Sequence, residues 1–160
     1  MAGRVPVVRR EAEPDQALGR RAHPAEAAPE INLVVDAYNA VSVRHCLPIG
    51  GEDLRRYQGP ARLVRAAGDE PSEDALGAPE IGEGIWRDDS GVTCRRWNWR
   101  QCVRTRITEE TVDALFLLER LEPLTLEELA AAGDALAALL AEITPGVRVE
   151  SRLIVAGGSR

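Results

Sequence analysis

Arginine, tryptophan and asparagine are crowded into TCRRWNWRQCVRT, residues 93 to 105. Read as a strand, whose successive side chains alternate between faces, the segment puts Trp97, Trp99 and Val103 on one side and Arg96, Asn98, Arg100 and Arg104 on the other. The first face would build core and the second would meet an anion. A guanidinium pairs with phosphate or carboxylate through two parallel N–H bonds, and an asparagine among arginines adds both a donor and an acceptor. The competing explanation is a solvated face that balances nearby carboxylates. Aromatic use favours the ligand: the chain holds only six Phe, Trp and Tyr residues, and two of its three tryptophans stand within three positions here. On an inward face, Trp97 and Trp99 serve as core more often than as stacking platforms.

Other groups able to do chemistry are sparse. Cys46, Cys94 and Cys102 are odd in number and lack paired C-x-x-C spacing, so neither a disulfide framework nor a metal site is expected. His45 precedes Cys46, but sequence neighbours seldom have the geometry that a thiolate and its base require. Asp88-Asp89-Ser90-Gly91 is turn chemistry rather than a carboxylate pair. No P-loop, Rossmann or zinc-finger pattern occurs, and no cofactor is expected.

The elements that must hold these residues are legible to different degrees. INLVVDAYNAVSVRH, residues 31 to 45, has a helical stripe at Val34, Ala37 and Val41, with Asp36, Asn39 and His45 around the other side. Pro48, Gly50 and Gly51 then break the helix. ARLVRAAG is a short strand candidate, and DEPSEDALGAPEIGEG an acidic loop. GIWR and the arginine-rich segment form a hairpin through residues 88 to 91. Thr108, followed by Glu109 and Glu110, offers a helix start, with Val112, Leu115, Phe116 and Leu118 as its apolar side. Thr125 to Glu128 makes a capping box for a further helix to about Ile143. Val147 to Val155 alternates as a closing strand, at a sheet edge or beside the hairpin. Residues 1–29, rich in Ala, Pro, Glu and Arg, are expected to be a flexible or shortened N-terminal segment ahead of one domain at 30–156. The fold class is α+β, a mostly antiparallel sheet layered with about three helices.

Length and charge set limits. At 160 residues and 44% apolar content the chain suits one domain with a core. A net charge of −6 disfavours a protein that coats nucleic acid nonspecifically, so DNA is not an expected partner. With no stretch of membrane-spanning length and no apolar leader, a cytoplasmic location without membrane association is expected.

Residues 31 to 155 resemble the B3/B4 domain family, a tRNA-binding and editing module of the bacterial phenylalanyl-tRNA synthetase β subunit and of free-standing proteins. The likeness rests on VVDAYNAVSVRHCLPIGGEDL, which is similar to a D-x-x-N helix followed by a proline turn. It rests also on RDDSGVTCRRWNWRQCVRTRITEET, similar to the family's strand, loop and T-E-E-T segment, in which RRWNWRQC followed by T-R-I-T closely resembles the free-standing branch. In the synthetases the domain hydrolyses tyrosine wrongly attached to phenylalanine tRNA. The resemblance implies a B3/B4-like fold and places Tyr38 and Asn39 in the site. The chain departs from the pattern at Gly50, where synthetases have a histidine, and at Trp97 to Gln101, where they have a glycine-rich loop.

Two functions follow as expectations. In the first the chain is a tRNA-binding domain protein that acts on aminoacyl-tRNA, with trans-editing hydrolysis of a mischarged ester as its enzymatic form. Arg96 and Arg100 would grip phosphate or carbonyl oxygen, Asn39 and Asn98 would orient the aminoacyl group, Tyr38 and Trp97 would complete the binding site, and His45 or Glu52 would act as base toward water. The alternative is a noncatalytic binding module for an amino-acid-like or nucleotide ligand.

Overall fold

The structure, a computed structural model, describes residues 2–10 and 32–155. Strand β1 (Ala2–Arg10) is followed by helix α1 (Leu33–His45) and β2 (Ile49–Asp53). Next come β3 (Arg62–Arg65), β4 (Gly84–Arg87), β5 (Val92–Arg95) and β6 (Arg100–Gln101). The chain then runs through β7 (Asp113–Arg120), α2 (Leu126–Ile143) and β8 (Val147–Val155). Two four-stranded sheets result, ordered β2-β7-β1-β8 and β3-β4-β5-β6, with every named pairing antiparallel. The α+β, mostly antiparallel class read from the sequence is the class observed. The described residues contain two α-helices against about three expected.

Asn32 starts α1 by accepting the Val34 N–H at 2.8 Å, and the helix buries Val34, Ala37, Tyr38 and Val41 at the spacing of one helical face. Thr125 and Glu128 close the expected capping box of α2, which buries Leu129, Ala132, Leu136 and Leu140. Both helices pack against one face of the larger sheet, and the second sheet covers the other.

Strand β7 shows how the layers are joined. Its Ala114, Phe116 and Leu118 enter the cluster with the helices, while Leu115 and Leu117 meet Tyr57, Trp86 and Cys94 from the second sheet's side. A strand covered on both faces is apolar at every position, and over eight residues its sequence cannot be told from a buried helix by periodicity. The helix expected after Thr108 is therefore a strand. The threonine signal is genuine but closes a turn: Glu110 N–H donates to Thr108 Oγ1 at 3.3 Å, and Thr108 N–H to Thr111 Oγ1 at 3.0 Å.

A second correction concerns residues 93 to 105. The hairpin through 88 to 91 forms, but β5 ends at Arg95 and a tight turn separates it from the two-residue β6. Trp97, Trp99 and Val103 accordingly share no buried strand face, being 43%, 74% and 59% exposed.

The closing strand β8 lies at the edge of its sheet beside β1. Of the stretch 1–29, set apart in the sequence reading, Ala2–Arg10 lies hydrogen-bonded between β7 and β8 and thus within the sheet. Residues 11–31 lie outside the described residues.

Candidate functional site

Two adjacent glycines in β2 let the site assemble. A Cβ on Gly50 would lie 2.8 Å from Asn98 Cβ and 3.0 Å from Gln101 Nε2, and one on Gly51 would lie 2.8 Å from Tyr38 Cε1. Their side chains would point to opposite faces of the sheet. Gly50 thus admits the β5–β6 turn from one side and Gly51 admits α1 from the other.

The turn is held in an unusual conformation. Arg96, Trp97 and Asn98 have φ of 51°, 57° and 65°, three consecutive left-handed residues without a glycine. Such positions cost on the order of 1 kcal/mol or more each and persist only where surroundings enforce them. The surroundings do so through buried Asn98, whose Nδ2 donates to the Leu117 carbonyl at 3.0 Å and whose Oδ1 accepts the Cys94 thiol at 2.9 Å. Gln101 Nε2 adds a bond to the Gly51 carbonyl at 3.2 Å.

Between this turn and α1 lies an open cleft of about 420 Å³, lined by Tyr38, Asn39, Ser42, Pro48, Ile49, Gly50, Trp97, Asn98, Trp99 and Gln101. Most of its polar side chains are already engaged. Asn98 and Gln101 hold the turn, and the Ser42 hydroxyl donates to the Leu47 carbonyl at 2.7 Å. The Tyr38 hydroxyl and the Asn39 amide have no hydrogen-bond partner among the described residues. Burial raises the Tyr38 phenol above its usual range, so it stays protonated and available as a donor. At the rim, the Arg100 guanidinium lies over the Trp99 ring, 5.1 Å from its centroid.

The sequence-derived residues divide accordingly. Tyr38, Asn39, Trp97 and Asn98 come together in the cleft. Arg100 stands beside it on Trp99, and Arg96 points into a different cavity, on the far side of Trp97. A single basic face does not form, because the alternation that would create it ends at Arg95. Two neighbouring arginines are structural. Arg95 is buried against Glu83 at 2.5 Å and three backbone carbonyls, and Arg104 grips Asp88 with both nitrogens at 2.8 and 3.0 Å.

Neither expected base reaches the cleft. His45 is the last residue of α1, and its Nε2 is buried without a hydrogen-bond partner among the described residues. Glu52 is fully buried on β2, where its carboxyl accepts from Tyr57, from Thr105 at 2.6 Å and from Thr93 at 3.3 Å. Burial pushes that carboxyl above its ordinary value. Glu52 is thus a fixed interior group without access to water in the cleft. Ser42 and Gln101 line the cleft without having been singled out in the sequence: a serine on a helix and a glutamine after a turn carry no signal until the two elements meet.

Among the described residues no group of three or more His, Cys, Asp or Glu side chains is arranged to hold a metal ion, and no helix is long and apolar enough to cross a membrane.

The fold has a solved counterpart. An N-terminal fragment of the phenylalanyl-tRNA synthetase β subunit from Pyrococcus horikoshii superposes with a TM-score of 0.62 at 13% identity, over 92% of this chain and 46% of the fragment. At that identity the likeness is one of fold, and this chain spans less than half of the fragment's length. Comparison with curated proteins gives no match. The family model of the B3/4 domain matches residues 4–144, so the chain belongs to the B3/4 domain family.

Proposed function

We propose that this protein binds the single-stranded 3′ end of a tRNA, free or aminoacylated, in the cleft between α1 and the β5–β6 turn. The observation that carries this reading is the pairing of a solvent-facing indole, Trp99, with a cleft whose uncommitted polar groups are the Tyr38 hydroxyl and the Asn39 amide. An indole that is 74% exposed and held on an over-determined turn offers a flat face to a base. Stacking of this kind is worth about 1–3 kcal/mol per base. Arg100, spread over the same ring, supplies positive charge for an adjoining phosphate. The solved counterpart, a fragment of the phenylalanyl-tRNA synthetase β subunit, supports the choice of partner. A tRNA ligand also fits the cytoplasmic location expected from the sequence.

Hydrolysis of a mischarged aminoacyl ester is the second reading. It is favoured by the two free donors in the cleft, which suit an oxyanion on the acyl carbon. Among the described residues no carboxylate or imidazole lines the cleft, so water would be oriented by neutral groups rather than activated by a side-chain base. Binding is therefore the function the geometry supports best, and any turnover would be modest.

Fluorescence anisotropy with labelled tRNA tests the reading. Trp99→Ala is expected to weaken binding about 5- to 150-fold, as the loss of one stacked base predicts. Asn39→Ala should weaken it less. With one rim arginine, Arg100, the slope of log K against log salt should be about −0.7 for a single strand. Undetectable tRNA binding at low salt, or unchanged affinity in both variants, would overturn it. Saturable binding of a free amino acid or nucleotide, with none of tRNA, would favour the small-ligand module instead.

A further inference from the structure

Strand β8 (Val147–Val155) pairs with β1 along one side, and among the described residues nothing pairs with its other side. An open sheet edge presents a row of N–H and C=O groups to any further strand, and proteins commonly blunt it with a proline, a bulge or a short strand. β8 has none of these. It contains neither proline nor glycine, and all nine of its residues match β1 in unbroken register.

Pro6 of β1 shows which groups lie open. An antiparallel strand sends the N–H and C=O of each residue to the same side, and those of consecutive residues to opposite sides. Proline has no N–H to give. The register of β1 with β7 lapses at Val5 and Pro6, whereas that with β8 continues through both, so Pro6 faces β7. Ser151, the match of Pro6 on β8, therefore makes no ladder bond to β1 and directs its N–H and C=O outward. The backbones of Val147, Val149, Leu153 and Val155 point the same way.

The sequence of this edge is complementary to itself. When a second β8 runs antiparallel about a twofold axis at Ser151, the whole strand pairs and its outward groups meet one another. Glu150 then stands opposite Arg152 of the partner subunit, and Arg152 opposite Glu150 of the partner subunit, in pairs without ladder bonds, where side chains approach most closely. Both residues are exposed, and neither has an ion-pair partner among the described residues. Moving the axis by one residue sets Glu150 opposite itself or Arg152 opposite itself, so the charges select a single register. On the helix side, where Val147 and Val149 pack, Leu153 is 50% exposed. In this register it meets Val149 of the partner subunit and is covered.

We propose that the open edge of β8 is a homodimer interface: two copies join antiparallel through β8 about a twofold at Ser151, making one continuous sheet with the helices of both copies on the same face. Sedimentation of the full chain from about 1 μM to 1 mM, the range of a weak association, is the test. The protein should be monomeric at the low end and dimeric at the high end, because a pairing of two strands buries too little surface to be permanent. Ser151→Pro removes an outward N–H while leaving the bonds to β1 in place, and should abolish the dimer. Where that variant fails to fold, the charges decide. Glu150→Arg sets like charges opposite one another and should weaken association at least about fivefold. Adding Arg152→Glu restores opposite charges and should recover the affinity, which damage to the strand could not do. A monomer at every concentration, a folded Ser151→Pro protein that still dimerises, or a double exchange no tighter than Glu150→Arg alone would each overturn the proposal. None of these measurements uses tRNA, so failure here and failure of the tRNA reading are separately visible.

Discussion

On the helical side of the larger sheet, Phe116 and Leu118 meet Val34, Leu129, Leu136 and Leu140 in a cluster of apolar and aromatic side chains. On the opposite side, Leu115 and Leu117 share their layer with buried Glu52, Thr93, Asn98 and Glu119. The first layer holds the fold by burial alone. The second spends part of its interior on hydrogen bonds that fix a strained turn. Both the cleft and the cavity beyond Trp97 border the second layer, so the polar side is where the molecule departs from what stability alone requires.

The largest effect should come from the apolar side. Leu136→Ala, at a fully buried position of α2, is expected to lower unfolding free energy by about 2–5 kcal/mol, read by chemical denaturation. Folded molecules should keep normal ligand affinity. Gly50→Ala acts across the division: its methyl would press on Asn98 and Gln101 and cost about 1–3 kcal/mol. It should weaken ligand binding more than Leu136→Ala does, because it displaces the turn itself. A Gly50→Ala protein with full affinity would separate the turn from the site.

Glu52 gives the comparison a pH signature. Its folded-state carboxyl is raised above the ordinary value of 4.5, chiefly by burial, so the unfolded chain ionises first as pH rises. Its stabilising contribution is therefore full below about pH 4.5 and declines as pH climbs through the raised folded-state value. Glu119, raised for the same cause, adds a change of the same sign. Glu52→Gln should flatten the fall in stability between acidic and neutral pH, whereas Leu136→Ala should shift the whole curve without changing its shape. The smallest effect belongs to the rim, where Trp99→Ala should alter stability by no more than about 0.5 kcal/mol.

The same division governs what could be read from the sequence. Helices α1 and α2 announce themselves through one-sided apolar spacing and, for α2, a capping box whose bonds are all local. Strand β7 is disguised because its apolar run serves two layers at once, and Thr108 performs in a turn the bonding it would perform at a helix start. Arg96, Trp97 and Asn98 carry no mark of left-handed backbone. That geometry is imposed from outside by the Leu117 carbonyl, the Cys94 thiol and the space above Gly50. The arginine-lined face failed with it, since alternation holds only while the strand continues. Tyr38 and Asn39 were reachable through the family resemblance, and the structure sets both in the cleft.

Three tryptophans report on the two regions separately: Trp97 and Trp99 belong to the turn, and Trp86 is buried with its indole N–H on Glu119. The most direct measurement is a two-dimensional NMR titration of their indole N–H resonances with the single-stranded 3′ end of tRNA. The account predicts saturable shifts of Trp97 and Trp99 while Trp86 stays in place. Movement of Trp86 alone, or of none of the three at saturating ligand, would contradict the assignment of the cleft as the tRNA site.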